Sequence, residues 1–288
     1  MRGVHALVSH VIAGIGVSVV GDVAFPAPLH DLAAPCDDPE EITIRLTATR
    51  TSAPMRPAGA PAFETDSWVA FVDAERFVLC AKDGSRDTPE AMRIELARDG
   101  LEGRYLHDGG WLSVFQHPID QLLMVHALRI AGGALMHAAS IVGKDGALLV
   151  AGPSGAGKTT MSRAAIALGA HVLSDERTIV RPAAGGGWLA GGTPWPGDGG
   201  YNENRSVPLR ALILLEQADR DELVPLSPAR ALAQLYRCHF PPVWDAHACD
   251  ATLANLERLV GEVPAFLYRN RKGPDAARRL LERVGGVA

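Results

Sequence analysis

The residues best equipped for chemistry are Gly152-Pro153-Ser154-Gly155-Ala156-Gly157-Lys158-Thr159, which fill every fixed position of the pattern G-x-x-x-x-G-K-[ST], with Thr160 next. Glycines let such a loop curl so that successive N–H groups gather on phosphate oxygens, and the helix that follows adds its positive end. Lys158 then reaches the β- and γ-phosphates and the Thr159 hydroxyl is a ligand for Mg²⁺. Gly152, Ser154, Gly155, Ala156, Gly157, Lys158, Thr159 and Thr160 are the candidate nucleotide-binding residues. A generic glycine-rich strand-to-helix turn shares some of these features, but the filled positions and the flanks favour the phosphate loop. Asp175 and Glu176 follow it closely in sequence. Two carboxylates delivered by a strand suit a Mg²⁺ and proton-acceptor site, although alone they read as a solvated acidic turn.

The flanking segments have the periods that this chemistry requires. Residues 147–151 are a continuous apolar run, read as a strand, and residues 161–168 a helix. Before them, residues 134–142 form a short strand joined by the turn Gly143-Lys144-Asp145-Gly146, so the strand entering the loop is hairpin-paired. Ordinary doubly wound nucleotide folds join parallel strands through helices instead. Pro118 opens a helix to residue 130, where His126 is read as a packed core histidine. Residues 170–173 are a brief strand ending at the carboxylates, and residues 178–181 and 188–190 a hairpin. Residues 191–208 form a long glycine-rich, aromatic loop expected to cover substrate. Residues 211–216 read as a central strand that residues 223–226 pair with. Helices are expected from Ser227-Pro228 to residue 236, over 250–260 and over 274–284, with a strand at 264–268. The arginines of the basic tail, with Lys272, read as a solvated face.

The chain has 288 residues, 47% hydrophobic and 21% charged, with a formal charge of −5. That is an ordinary globular composition, and without a basic block nucleic acid is not the expected partner. Cys36, Cys80, Cys238 and Cys249 are scattered, so reduced thiols are expected rather than a disulfide framework. Cys238-His239 and His247-x-Cys249 lack zinc-site spacing. The apolar run at residues 11–20 is too short to span a bilayer and lacks signal-peptide flanks; it reads as a strand bent at its glycines. A cytoplasmic protein with no membrane partner is expected, and a homo-oligomer is compatible with the sequence. Residues 42–49, 68–72, 76–80, 92–96 and 111–115 read as short strands with evenly spaced turns. The expected organisation is a mainly antiparallel β lobe over 1–115 and an α/β (α+β) nucleotide core over 116–288.

From residue 120 to the end, these pieces resemble the catalytic domain of the HPr kinase/phosphorylase family, whose nucleotide sheet is similar to that of phosphoenolpyruvate carboxykinase. The resemblance rests on Leu135-Met136-His137-Ala138-Ala139, the loop 152–159, Leu173-Ser174-Asp175-Glu176, and Gly192-Thr193-Pro194-Trp195-Pro196-Gly197 followed by Pro208-Leu209-Arg210-Ala211. The last two pieces match short relatives of the enzyme. The family implies a mixed-sheet phosphate-loop kinase core using ATP and Mg²⁺. It implies Asp175 as proton acceptor from a serine hydroxyl, Glu176 helping to hold Mg²⁺, and His137 positioning Asp175. The second family aspartate is Glu176 here, which lengthens its reach. The segment L-E-x-R-G-L-G-I is absent, so HPr is not the expected target. Short relatives, including those of lasso-peptide systems, phosphorylate a serine of a precursor peptide. The resemblance therefore implies a peptide or protein acceptor, with the β lobe as its docking platform. A small-molecule kinase and a nucleotide-holding regulatory module are the alternatives.

Overall fold

A computed structural model describes residues 5–23, 42–84, 90–110, 112–271, 273 and 275–284. Cys36, Trp111, Lys272 and Pro274 lie outside the described residues. The described residues form a mixed α/β structure with two eight-stranded sheets.

The first sheet uses β1 (His5–Ile12), β2 (Ile15–Asp22), β3 (Ile42–Arg50), β4 (Phe63–Glu64), β5 (Trp68–Val72), β6 (Arg76–Lys82), β7 (Glu90–Ala97) and β8 (Glu102–His107). Their order is β1-β2-β3-β8-β7-β6-β5-β4, mainly antiparallel, with parallel contacts at β2–β3 and β3–β8. Alternation sets its faces: Ile44, Leu46 and Ala48 point inward while Arg45 and Thr47 stay exposed. Against the inner face lies α1 (Ile119–Ile130), whose Leu123, Met124 and Leu128 join Val19, Leu46, Leu79 and Ile94 in one core. That core runs on into the second half of the chain through Leu135, Ile179 and Trp195.

The second sheet comprises β9 (Ala134–Gly143), β10 (Gly146–Ala151), β11 (His171–Ser174), β12 (Arg177–Pro182), β13 (Trp188–Gly191), β14 (Ser206–Gln217), β15 (Glu222–Pro225) and β16 (Ala265–Asn270). Two long strands each serve three neighbours, β9 also pairing with β11. The start of β9 pairs with β12 and the rest with β10, while β14 pairs first with β13 and then with β10 and β16. The pairings β9–β12–β13–β14–β10–β9 therefore close a ring. Within it β10 is covered on both faces: Ala147, Leu149 and Ala151 face α3 (Pro228–Leu235) and α4 (Ala246–Glu262), whereas Leu148 and Val150 face α2 (Lys158–Ala167) and α5 (Ala276–Val284). A strand buried on both sides reads as the unbroken apolar run seen in the sequence. Among the described residues no helix is long and apolar enough to cross a membrane.

Several expectations need correction. The first apolar segment is a hairpin turning at Ala13-Gly14, not one bent strand. Residues 112–115 are irregular: Leu112 and Val114 pack into the core without pairing, the Tyr105 hydroxyl donates to the Leu112 carbonyl at 3.0 Å, and the strand is β8 instead. β15 pairs with β16, because both edges of β14 are already taken by β10 and β16. β14 begins at Ser206, which shortens the loop to residues 192–205. α4 starts at Ala246, earlier than the expected residue 250, and Asp245 caps it by accepting from the His247 N–H at 3.0 Å. Ser227 makes no side-chain cap bond, although Pro228 does open α3. His126 is a core residue as expected: it stacks on Phe77 at 5.0 Å, bonds the Gly100 carbonyl at 2.9 Å, and burial lowers its pKa to about 4. The tail arginines are paired: Arg269 with Glu216 and Glu222, and Arg271 and Arg279 with Asp221.

Candidate active site

The glycine-rich loop leaves the end of β10 and turns into α2 at Gly157, whose φ of 107° is open to glycine but strained for other residues. Gly155 has φ 77° for the same reason. The Ala156 N–H donates to the Pro153 carbonyl at 3.1 Å, and Ser162 ties the first helical turn by donating to the Lys158 carbonyl. A Cβ on Gly152 would press on Ala156 and Leu215, so this glycine allows β14 to pack closely.

Lys158 sits in the first turn of α2 with 7% of its surface exposed. Its Nζ donates to the Gly152 carbonyl at 2.9 Å and reaches the Pro153 carbonyl at 3.4 Å, so the side chain folds back over the start of the loop. Among the described residues it forms no ion pair. Burial holds its pKa below the ordinary lysine value. A buried ammonium without a counter-charge is costly, and an anion entering the adjoining space would remove that cost.

That space is a cavity of about 400 Å³ lined by His137, Lys158, Thr159, Asp175, Glu176 and Asp198, among others. β9 delivers His137, and β11 ends at Ser174, placing Asp175 and Glu176 on the bend before β12. The Ser174 hydroxyl accepts from the Glu176 and Arg177 N–H groups at 3.3 and 3.0 Å and fixes this bend. Asp175 is 2% exposed. Its Oδ1 accepts from the Gly197 N–H at 3.1 Å and its Oδ2 from the Gly199 N–H at 2.6 Å. The loop thus clasps the carboxylate from above with backbone donors, and both glycines are needed for approach: a Cβ on Gly197 would lie 2.7 Å from the Glu176 Cβ, and one on Gly199 would overlap Asp175 Oδ2.

The structure therefore brings together the residues that sequence reasoning selected at the loop, at His137 and at the two carboxylates. The partner of Asp175 is not the expected one. Among the described residues no hydrogen bond joins His137 to Asp175; His137 meets Phe240 edge-on at 6.3 Å and lies opposite Arg177 in register. Burial, then the Lys158 charge, hold the His137 pKa below the ordinary imidazole value. Glu176 is half-buried, with Arg177 Nη1 3.5 Å from its Oε1. Cys238 and His239 do not act as a pair: Cys238 is buried beside the loop, where burial raises its thiol pKa, and His239 lies tilted against the Tyr236 ring at 4.7 Å. Among the described residues no group of three or more His, Cys, Asp or Glu is arranged around a metal.

Sequence reasoning missed Asp198, an exposed carboxylate on the cavity wall, and Gln217, whose Nε2 donates to the Gly155 carbonyl at 2.6 Å. Asp198 was flanked by the glycines that signalled the loop; Gln217 carried no motif and is placed by the register of β14 against β10. Two more cavities flank the loop. One of about 750 Å³ lies towards β14, Arg237 and Cys238, and one of about 340 Å³ lies between α2 and α5 beside Thr160, Ala164 and Asn270.

No curated protein matches the chain. A family model described as SynChlorMet cassette protein ScmC matches residues 115–269, from the approach to α1 into β16, which is just over half of the chain and includes every candidate site residue. By that match the chain belongs to the family of the SynChlorMet cassette protein ScmC.

Proposed function

We propose that the chain is an ATP- and Mg²⁺-dependent kinase that transfers the γ-phosphate to a hydroxyl of a peptide or protein, on a phosphate-loop core similar to that of HPr kinase/phosphorylase. The observation that carries this reading is the buried Lys158 ammonium, without an ion-pair partner among the described residues, lining the same cavity as Asp175 and Glu176. A loop alone suits any phosphate; a loop, a cation in need of an anion and two facing carboxylates suit phosphoryl transfer.

The donor set fits the implied groups. Loop N–H groups and the start of α2 hold the phosphates, and Lys158 balances charge at the β- and γ-positions. Because Lys158 folds back towards Gly152, the residues at the start of the loop would receive the γ end. The nucleoside end then lies towards Thr160 and the cavity of about 340 Å³. Thr159 and Glu176, which line the same cavity, would hold Mg²⁺, and the ion would supply charge neutralisation on the phosphate oxygens. Mg²⁺ ordinarily takes only one or two protein ligands beside phosphates, so no larger cluster is called for.

Asp175, aimed by the Gly197 and Gly199 amides, accepts the proton of the attacking hydroxyl. The new bond joins the acceptor oxygen to the γ-phosphorus, and the bond to the bridging oxygen breaks, its electron pair leaving with ADP. Positioning and charge neutralisation carry most of the rate, and the base contributes less. His137, edge-on to Phe240, shapes the acceptor side of the cavity. An ATP consumer of this kind belongs in the cytoplasm.

The test is mass spectrometry of serine-containing peptides incubated with the full chain, ATP and Mg²⁺, with ADP binding followed by calorimetry. Lys158→Ala is expected to lose both transfer and ADP binding, and Asp175→Asn to lose transfer while still binding ADP. Transfer by Asp175→Asn at the wild-type rate would sink the base assignment. ADP binding with no phosphate on any peptide would favour the nucleotide-holding module instead.

A further inference from the structure

The turn between β1 and β2 is more heavily fastened than a hairpin requires. Two-residue hairpin turns of this kind need positive φ at both central positions and favour Asn-Gly or Asp-Gly. Here they are Ala13 and Gly14, with φ of 50° and 80°, and Ala13 is the one non-glycine residue with positive φ among the described residues. Such a conformation persists only where the surroundings impose it. The Ala13 N–H donates to Asn204 Oδ1 at 3.0 Å, Asn204 Nδ2 donates to the Val11 carbonyl at 2.8 Å, and Arg181 Nε donates to the Ala13 carbonyl at 2.9 Å. Ala13, Arg181 and Asn204 are all buried. The Ala13 methyl sits over Gly191, where any Cβ would overlap it.

Asn204 belongs to the loop that clasps Asp175. Next to it the Glu203 N–H donates to the Leu173 carbonyl at 2.8 Å, Asn202 bridges to Ser174, and the Gly192 N–H closes the base of the loop on the Arg205 carbonyl at 3.0 Å. A continuous chain of contacts therefore runs from the hairpin tip through the Asn204 side chain, then through the backbone of Glu203 and Asn202 to Leu173 and Ser174, the strand end that carries Asp175. The other end of the loop is fixed by Trp195, whose indole N–H donates to Asp120 on α1 at 2.7 Å.

We propose that the Ala13-Gly14 turn of the first sheet is a built part of the catalytic site: it fixes the loop whose Gly197 and Gly199 amides aim Asp175, which makes Asn204 a positioning residue for phosphoryl transfer. The catalytic half of this proposal rests on the kinase reading; the structural coupling does not. The first sheet then acts inside the core's chemistry, beyond any role as a platform for the acceptor.

The test uses the full chain and three variants: Asn204→Ala, Gly191→Ala, and Gly191→Ala combined with Ala13→Gly. The first removes both side-chain bonds to the turn. The second drives a methyl into Ala13, and the third takes the opposing methyl away while leaving the backbone bonds in place. Hydrogen exchange of residues 192–205, kcat and KM for phosphate transfer, and ADP affinity are measured for each. Both single variants are expected to exchange faster across 192–205 and to lose roughly 10- to 100-fold in kcat, the scale of a displaced catalytic group. KM for ATP and ADP affinity should stay unchanged, and the double variant should recover both exchange and kcat. Unchanged exchange in Asn204→Ala overturns the coupling. Faster exchange with wild-type kcat overturns the positioning role. Should Gly191→Ala fail to fold, Asn204→Ala decides. A wild-type chain that transfers no phosphate refutes the kinase reading instead, while the exchange experiment still decides the coupling.

Discussion

Replacing Asp120 with Asn tests the electrostatics of the loop's first anchor. Asp120 lies in the first turn of α1, 4% exposed, accepting from the Trp195 indole at 2.7 Å and the Gln121 N–H at 2.7 Å. His117 Nδ1 stands 3.9 Å away and the Arg177 charge favours ionisation, but burial outweighs these and raises the carboxyl pKa from 3.8 to about 6. Between those values the folded protein holds a proton that the unfolded chain has released. Stability from this group is therefore fully present below pH 3.8 and is lost as pH rises through 6. A shift of about 2 units at 1.36 kcal/mol each corresponds to roughly 3 kcal/mol at neutral pH. The amide oxygen of Asn can still accept from Trp195, and any packing penalty of the exchange does not depend on pH. Urea unfolding of Asp120→Asn and wild type from pH 4 to pH 7 should therefore show the difference moving in favour of the variant by about 2–3 kcal/mol across that interval. A difference that stays flat with pH, or moves the other way, would refute the claim that Asp120 is a buried charge tolerated for the sake of Trp195.

Two further substitutions probe the clasp and the seam between the halves of the chain. In Gly199→Ala the new methyl must displace Asp175 Oδ2, so kcat should fall by roughly 10- to 100-fold with ADP affinity unchanged; Gly261→Ala, where a methyl meets open space in α4, should keep wild-type kcat. Equal kcat in both would show that the amides do not aim the carboxylate. In Asp245→Ala, α4 loses its cap and the two bonds from Arg98, next to the end of β7, at 2.9 and 2.6 Å, so the fold should lose more than the ~1 kcal/mol of stability that an ordinary cap supplies. Arg98 first, then the cap, hold this carboxyl below its ordinary value, so its stability is present above pH 3.8 and is lost as pH falls through the lowered pKa. An Asp245→Ala penalty as large at pH 2 as at pH 7 would exclude the ionic contribution.

The parts legible in the sequence are those fixed by near neighbours. The loop announced itself because glycines, Lys158 and Thr159 act within one turn of chain, and its hairpin-paired strand because Gly143 to Gly146 closes a local turn. β10 was readable because both its faces are buried, and His126 because it sat in an apolar stripe. The errors arose where distant pairing decided. Residues 222–225 are as short and mixed as many edge strands, and only the saturation of β14 by β10 and β16 sends them to β16. Residues 112–115 have strand composition yet pack as an irregular cover. At the candidate site the residues were visible and their partnerships were not: His137 and Asp175 share a cavity, but backbone amides far along the chain hold Asp175. Ala13 carries no motif, and its role follows from contacts spanning more than half of the chain.

Glycine in residues 192–205 is easily read as flexibility, yet the contacts argue for close approach. Gly197 and Gly199 face carboxylates at distances that no side chain permits, and Gly192 packs against the Leu173 side chain. Trp195 and Asn204, near the two ends of the loop, are buried and bonded to elements outside it. A mobile lid would leave such anchors exposed and its backbone bonds to solvent. On the kinase reading proposed above, holding Asp175 by backbone amides fixes its orientation before an acceptor arrives, as preorganised transfer requires, and leaves the side chains of the loop free of that task. Discrimination between acceptors then falls to surfaces beyond the clasp: exposed Asp198, the Phe240 side of His137, and the cavity of about 750 Å³ beside Arg237. Substitutions there should change which hydroxyl is phosphorylated, whereas substitutions in the clasp should change how fast any hydroxyl is.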